Sequence, residues 1–358
     1  MDIRSLITFA GLMVLGLSSA LLTPNSYADI NTGTDSEDRF WINRSYENLE
    51  KFDNFTAISE QTLSDSDFPI TSDITFIKPN TFYQKVTQPK SLKGFEAGYS
   101  NNTITLHDPN SKHALKIKGL QPYKNSSTID RIRGIFLYNK EYYEQEFIPA
   151  IHVADRLSVG IDFTAKNDDF ELKKVEAFVD YHHSLFMQAD FIFASGVKSQ
   201  IKNTHIAFNQ ADLSLPTIDL TSDHVANDTK TITWDFSKKH SSKKKITKKI
   251  DSNIIWPEDK ENSWEFENHQ YYQQENKQHS AAYFYNDNYF LITLTQASDN
   301  IAFSNLGLKI NLAGTQVTLN QFPTFFLLEF DHKGIHYTLL SDTHPESLLG
   351  MIKNIVKG

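Results

Sequence analysis

Cysteine is absent from all 358 residues. That absence excludes disulfides, thiolate zinc sites, a cysteine nucleophile and the acylated cysteine of a lipoprotein. Long hydrophobic runs are also scarce, since the one clear run, Leu6 to Leu17, holds 12 residues where a bilayer span needs about 20. Positive charge is in deficit: 35 Lys plus Arg stand against 44 Asp plus Glu, a net of −9. A surface that coats nucleic acid is therefore excluded as an expectation. No Gly-x-x-x-x-Gly-Lys-Ser/Thr loop, Gly-x-Gly-x-x-Gly turn, Gly-x-Ser-x-Gly elbow or His-Glu-x-x-His pair occurs, so the strong enzyme signatures are missing. No repeat of 20 to 50 residues suggests a solenoid or propeller.

What the chain does have is aromatics, 26 Phe and 15 Tyr, which suit half-buried strands or an apolar cavity. Its length fits two domains at about 150 residues each. Arg4, the apolar run and the small residues Ser26 and Ala28 before Asp29 have the layout of a cleaved signal peptide over 1–28, which predicts an exported, periplasmic chain.

Tyr46, Leu49 and Phe52 have helical spacing, and strict alternation follows. Ile70/Ile74/Phe76, Phe82/Val86, Phe95/Ala97/Tyr99, Ile104/Leu106 and Leu115/Ile117 predict strands, with Lys78-Pro79-Asn80 and Asp108-Pro109-Asn110 as turns. Residues 129–148 carry Ile132, Ile135, Phe136, Tyr142, Tyr143 and Phe147 at loosely helical spacing and predict one or two helices. Strands resume at Leu157 to Phe163, Val175 to Tyr181, Leu185 to Phe193 and Ile201 to Phe208. Hairpin-like spacing throughout predicts antiparallel order.

Beyond Asn209 the pattern weakens. Residues 238–249 hold seven lysines and no acid, so this window carries +7 and the rest of the chain −16. Lys238, Lys239, Lys243, Lys244, Lys245, Lys248 and Lys249 form either a solvated loop or a contact to phosphates or an acidic partner. A second strand region runs from Tyr283 to Leu339. Thr343-His344-Pro345-Glu346, at capping-box spacing, then opens a terminal helix through Leu348, Leu349, Ile352, Ile355 and Val356.

Candidate chemistry is diffuse. His182 and His183 are adjacent at a strand end, where side chains diverge, so no metal site is expected from them. The carboxylates Asp168, Asp169, Glu258, Asp259, Glu265 and Glu267 leave a polysaccharide-active enzyme as one open class. The aromatic strands either fill a core or line a greasy groove, and an acyl chain in such a groove gains about 0.8 kcal/mol per methylene.

Three stretches carry a family resemblance. Asn54-Phe55-Thr56-Ala57-Ile58-Ser59-Glu60-Gln61, Asp73 to Phe82 through Lys78-Pro79-Asn80, and Val86-Thr87-Gln88-Pro89 resemble the first strands of LolA-type lipoprotein carriers. The family's arginine before the proline falls on Lys78, which keeps the charge and loses the bidentate fork. His152 to Phe163, Phe178 to Ala189, Gly196 and Ile206 to Asn209 resemble the sheet of the related MucB/RseB regulatory proteins. Asn288 to Val356 is similar to small C-terminal domains that follow LolA-like domains.

The resemblance implies an α+β chain: a curved antiparallel half-barrel with a helical lid over 29–209, a Lys-rich linker over 210–265, and a small α+β domain with a C-terminal helix over 266–358. It also implies a non-enzymatic, cofactor-free protein that binds an acyl chain, lipid or lipoprotein and contacts an envelope-stress partner such as an anti-sigma factor. A LolA-type carrier is the alternative. Alternation nominates Phe55, Ile74, Phe76, Phe82, Val86, Phe95, Ile104, Leu106, Val159, Ile161 and Phe163 as groove lining. Lys78 and the lysine run are the nominated partner, anion or peripheral membrane contacts.

Overall fold

The structure is a computed structural model that describes residues 51–64, 66, 68–78, 81–110, 112–120, 143–218, 220, 229–237, 265–274, 277–285, 290–297, 307–323 and 325–357. Nineteen strands and one helix occur among the described residues. They fall into two compact units, Met1–Asn80 with Asn125–Ser214, and Thr81–Lys124 with Leu215–Gly358.

The first unit holds β1 (Asn54–Leu63), β2 (Ile70–Ile77), β7 (Tyr143–Val153), β8 (Arg156–Ala165), β9 (Leu172–Asp180), β10 (Phe186–Phe193) and β11 (Lys198–Phe208) in the order β2-β1-β11-β10-β9-β8-β7. All of these pairs are antiparallel. Alternation gives the sheet two unlike faces. On one, Phe55 pairs with Phe76, Ile161 with Ala177, and Phe163 with Val175, all buried. On the other, Asp162, Glu176, Asp190 and Gln200 lie in one row across four strands and stay partly exposed. Lys174 Nζ bridges Asp162 and Glu176 at 2.8 and 2.7 Å. Val153, Phe178 and Met187, edged by Ile148, Ala154 and Ile206, gather side chains from β7, β9, β10 and β11 into one cluster.

The second unit holds β3 (Thr81–Gln88), β4 (Glu96–Ser100), β5 (Thr103–Asp108), β6 (His113–Lys118) and β12 (Lys230–Asp235), ordered β12-β6-β5-β4-β3. It also contains a seven-stranded sheet of β13 (Glu265–Gln274), β14 (Lys277–Tyr285), β15 (Phe290–Ala297), β16 (Leu308–Leu312), β17 (Thr315–Gln321), β18 (Phe326–His332) and β19 (Ile335–Ser341), ordered β13-β14-β15-β19-β18-β17-β16. Helix α1 (Pro345–Lys357) packs beside β16 and β18 through an apolar face that buries Leu348, Leu349 and Ile352. No described helix is long and apolar enough to cross a membrane.

Tight turns follow from residues that accept a left-handed backbone. Asn101-Asn102, Ala154-Asp155, Ala313-Gly314 and Lys333-Gly334 each place two consecutive positive φ values between paired strands, as the twist of a two-residue hairpin requires. The Asp108 turn is closed by its own side chain, whose Oδ1 accepts from Asn110 N at 2.9 Å.

Four expectations change. Residues 143–148, expected to be helical, are strand: Tyr143–Val153 pairs with β8, and the register breaks between Ile148 and Ile151, around Pro149. Proline is excluded from a helix interior and tolerated at a strand bulge, which decides the matter. The remainder of that helical stretch, residues 129–142, lies outside the described residues, as do 46–50, the leader and the lysine run. Antiparallel order is not universal, because β12 pairs parallel with β6 from Lys230–His113 to Asp235–Lys118. The interval read as a connection therefore contains a strand, anchored by Ile232 and Trp234 in the core. It is tied further where Asp235 N donates to Gln270 Oε1 at 3.0 Å and Gln270 Nε2 donates back to Asp235 O. Finally, the helix cap is His344 and not Thr343. Glu346 N donates to His344 Nδ1 at 3.1 Å, and burial holds the imidazole pKa down to about 3, so the ring stays a neutral acceptor.

Gly160 is required where β7 crosses its neighbours, for an added Cβ would lie 2.5 Å from Ile148 Cγ1 and 3.1 Å from its carbonyl oxygen. Gly160→Ala is expected to destabilise the chain by about 1–3 kcal/mol through overpacking. Gly350→Ala in α1, where nothing lies within 4 Å, is expected to stabilise it by about 1 kcal/mol through helix propensity. Urea unfolding of the two variants measures both signs.

Candidate functional site

The end of β9 and the start of β8 gather a dense polar cluster in the first unit. Asp180 closes β9, and its side chain is 0 % exposed. A buried carboxylate must be paired or fully hydrogen-bonded to stay ionised, and Asp180 is both. Arg156 Nε donates to its Oδ2 at 2.7 Å and Nη2 to its Oδ1 at 3.2 Å. The backbone N–H groups of His182 and His183 donate to Oδ1 at 3.1 and 2.7 Å. Burial alone would raise the pKa, but the hydrogen bonds from His183 and Arg156 outweigh it and hold the carboxyl at about 2. The turn that brings these donors together is closed by Ser184 N on Asp180 O at 2.9 Å, with Ser184 at φ 56°.

His183 Nδ1 lies 2.9 Å from Asp180 Oδ1 and 2.8 Å from Arg156 Nη2. One ring nitrogen cannot donate to the first and accept from the second at once, so the tautomer selects between them.

Aromatic rings form the floor. His183 stacks on Phe208 at 3.9 Å and 10°, and Arg156 Cζ sits 4.9 Å from the centre of the same ring. Phe208 meets Phe52 at 5.2 Å and Phe55 at 6.1 Å, and Phe55 stacks on Phe76 at 5.2 Å. Lys78 Nζ lies 4.9 Å over Phe52. Two cations thus rest on two touching rings, an arrangement worth about 0.5–1 kcal/mol per cation at exposed sites.

Of the nominated lining residues, six lie in the first unit: Phe55, Ile74, Phe76, Val159, Ile161 and Phe163. All are buried except Ile74, which is partly exposed. Phe82, Val86, Phe95, Ile104 and Leu106 lie buried in the second unit. There Phe82 meets Phe325 at 6.0 Å and Phe95 stacks on Phe322 at 6.1 Å, so aromatic side chains from the β17–β18 connection already occupy their rings. Lys78 is described; Lys238, Lys239, Lys243, Lys244, Lys245, Lys248 and Lys249 lie outside the described residues.

Asp168 and Asp169 are exposed in the β8–β9 turn. Among the described residues, no three His, Asp or Glu side chains are placed to hold a metal ion. Arg156 and Asp180 were missed in the sequence, where only the adjacent histidine pair hinted at chemistry.

Two further polar clusters belong to the second unit. Glu96 accepts from Tyr83 Oη at 2.6 Å, with Lys85 Nζ at 3.2 Å and His107 Nδ1 at 3.5 Å. Desolvation raises its pKa, yet the hydrogen bonds from His107, Tyr83 and Lys85 prevail and hold it at about 2. His336 lies between Glu329 and Asp331 at 3.5 and 3.0 Å. Burial opposes its charge, but the two carboxylates raise its pKa overall.

No protein-family model matches the chain, and no curated protein matches it. Among solved structures it is similar to MucB, at 10% identity and a TM-score of 0.42, over 90% of this chain and 97% of that one. It is also similar to the Pseudomonas aeruginosa MucA/MucB complex, at 9% identity and a TM-score of 0.41, over 88% and 96% of the two chains. A LolA superfamily protein from Nitrosomonas europaea matches at 11% identity and a TM-score of 0.24, over 50% of this chain and 98% of that one. Identities this low leave function to be argued from this chain's own residues.

Because the Asp180 carboxyl has a lower pKa folded than unfolded, its contribution is complete above the unfolded value of about 3.9 and is lost as pH falls toward 2. The loss is expected to reach about 2 kcal/mol, and Asp180→Asn should flatten that acid limb in urea titrations taken at successive pH values. At pH 7, Arg156→Met strands the buried carboxylate and is expected to cost about 3–5 kcal/mol, most of it recovered in Arg156→Met with Asp180→Leu.

Proposed function

We propose that this chain is an exported, non-enzymatic binding protein of the LolA/RseB kind. Its first unit holds an acyl chain, lipid or lipoprotein against the apolar face of its sheet, and its C-terminal part contacts an envelope-stress partner such as an anti-sigma factor. The observation that carries this is the two-faced sheet of the first unit. One face carries Phe55, Ile74, Phe76, Val159, Ile161 and Phe163, and the other the polar row Asp162, Glu176, Asp190 and Gln200. An acyl chain laid on the first face gains about 0.8 kcal/mol per methylene removed from water. The Asn54-to-Gln61 motif supports the same family and coincides with most of β1, and Lys78, from the second motif, directly follows β2. The proposed curvature is that of a half-barrel with a lid.

Native mass spectrometry of the mature chain from its own host, followed by organic extraction, is expected to release acyl species. The emptied protein should then take up a fluorescent fatty acid. Ile74→Asp is expected to weaken uptake about tenfold, because a charge at this partly exposed position forfeits several buried methylenes. A folded wild-type chain that carries no acyl species and takes none up overturns the proposal.

The lysine run is proposed as a peripheral contact to anionic head groups. Replacing Lys243, Lys244 and Lys245 with Gln is expected to reduce co-sedimentation with phosphatidylglycerol vesicles at low salt, where such attraction is least screened. Equal sedimentation of both chains makes the run a solvated loop.

A further inference from the structure

We infer that His336 makes the β18–β19 hairpin of the second unit a proton-dependent latch: the doubly protonated ring ties β19 to two carboxylates of β18, and loss of one proton frees the hairpin at its turn end. This latch belongs to the second unit alone and stands whether or not the first unit holds an acyl chain.

The hairpin is tight, with His332 and Ile335 as its last pair and Lys333 and Gly334 turning between them at φ 50° and 77°. Its two faces are locked differently. On one, Phe330 and Tyr337 pair across the strands and stack at 4.9 Å and 14°. Burial raises the Tyr337 phenol above its usual value of 10, so this stack keeps its neutral form well into alkaline pH. On the other face Asp331 pairs with His336, and Glu329 lies two residues back on β18. His336 Nδ1 is 3.0 Å from Asp331 Oδ1 and Nε2 is 3.5 Å from Glu329 Oε1. The ring thus faces a carboxylate with each nitrogen.

Both nitrogens carry an N–H only while the ring is doubly protonated. The neutral ring has one N–H and one lone pair, and the lone pair repels whichever carboxylate it faces. Solvent exposure decides which. The Glu329 side chain is 1 % exposed and cannot turn to water, whereas that of Asp331 is 69 % exposed. The remaining N–H therefore stays with Glu329, and Asp331, beside the turn, lets go.

Other charges stand apart from this ring among the described residues. Strands β15 and β17 carry no titratable side chain, and His332 and Tyr337 alternate to the opposite face. Lys333 is exposed in the turn. The charged strands β13, β14 and β16, with His279 on β14 and Lys309 on β16, adjoin neither β18 nor β19. Glu346, Lys353 and Lys357 belong to α1, beside β16 and β18. Burial opposes charge on the ring, but Glu329 and Asp331 outweigh it and raise its pKa above the ordinary 6.5. A group with a higher pKa folded than unfolded contributes fully below the unfolded value and loses that contribution as pH rises through the folded one. The latch is shut in acid and opens as the medium turns alkaline.

Hydrogen–deuterium exchange of the full-length chain at about pH 6 and about pH 9, corrected for the intrinsic exchange rate at each pH, tests this. Peptides spanning Asp331 to Tyr337 are expected to lose about tenfold in protection at the higher pH, the size of one hydrogen bond to a charged group. The β16–β17 turn at Ala313-Gly314, whose strands carry no acid and no histidine, should keep its protection. Asp331→Asn, whose side-chain N–H can donate to the neutral ring, and His336→Gln should each exchange alike at both pH values. Circular dichroism checks both folds, and the exposed Asp331→Asn carries the comparison if His336→Gln does not fold. An NMR titration of the His336 ring should place its pKa above 6.5.

Equal protection of the wild-type hairpin at both pH values overturns the latch. An equal loss at the β16–β17 turn makes the change a general alkaline effect and overturns it as well. A loss that persists undiminished in Asp331→Asn overturns the assignment to the Asp331–His336 pair, and a ring that titrates at or below 6.5 overturns the role of His336.

Discussion

A single carboxylate, sealed from water, holds the end of the first sheet together. Asp180 is tolerable there only because a guanidinium, an imidazole and two backbone N–H groups converge on it. Those donors come from two pieces of local structure: the start of β8 for Arg156, and the turn after β9 for the histidines. Satisfying one charge therefore fixes where a strand begins and how a turn closes. Arg156 and His183 in turn lie on Phe208, so the same constraint sets the position of the aromatic floor that runs through Phe52 and Phe55 to Phe76.

The second unit solves its packing differently. Its first strands bury Phe82 and Phe95 against Phe325 and Phe322, a contact between segments more than two hundred residues apart in the chain. Its outer strand, β12, pairs parallel with β6 and is locked by the reciprocal Asp235 and Gln270 hydrogen bonds. Ionisable groups lie between strands here too: hydrogen bonds from His107, Tyr83 and Lys85 lower the pKa of the partly buried Glu96, and Glu329 and Asp331 raise that of the buried His336.

Much of the strand content was legible because side chains of a pleated strand alternate between two faces, and residue types from Leu157 to Phe163 alternate, although Ser158 and Gly160 are buried as well. The turns were legible at Asp108, whose side chain makes the bond that its position promises. Residues 143–148 misled because loosely spaced aromatics satisfy a helical period, while Pro149 argued for a strand bulge. The stretch 230–235 was invisible for another reason: Thr231 and Thr233 face water and only Ile232 and Trp234 are buried, a pattern too short to stand out from a connection. The functional site was the least legible part. Arg156 and Asp180 are 24 residues apart, in two separate stretches whose spacing gives no sign that the side chains meet.

By itself, then, the sequence determined the local geometry: which residues alternate, where backbone reverses, that no thiol chemistry is possible, and that positive charge is concentrated in one lysine run. Those properties depend on neighbours a few residues away. Only the tertiary structure decided which strands became partners, that Phe82 and Phe95 meet other phenylalanines and Phe55 and Phe76 meet each other, and that one arginine would sit on a ring beside a buried carboxylate. These outcomes depend on contacts between distant segments, whose energies no local spacing encodes.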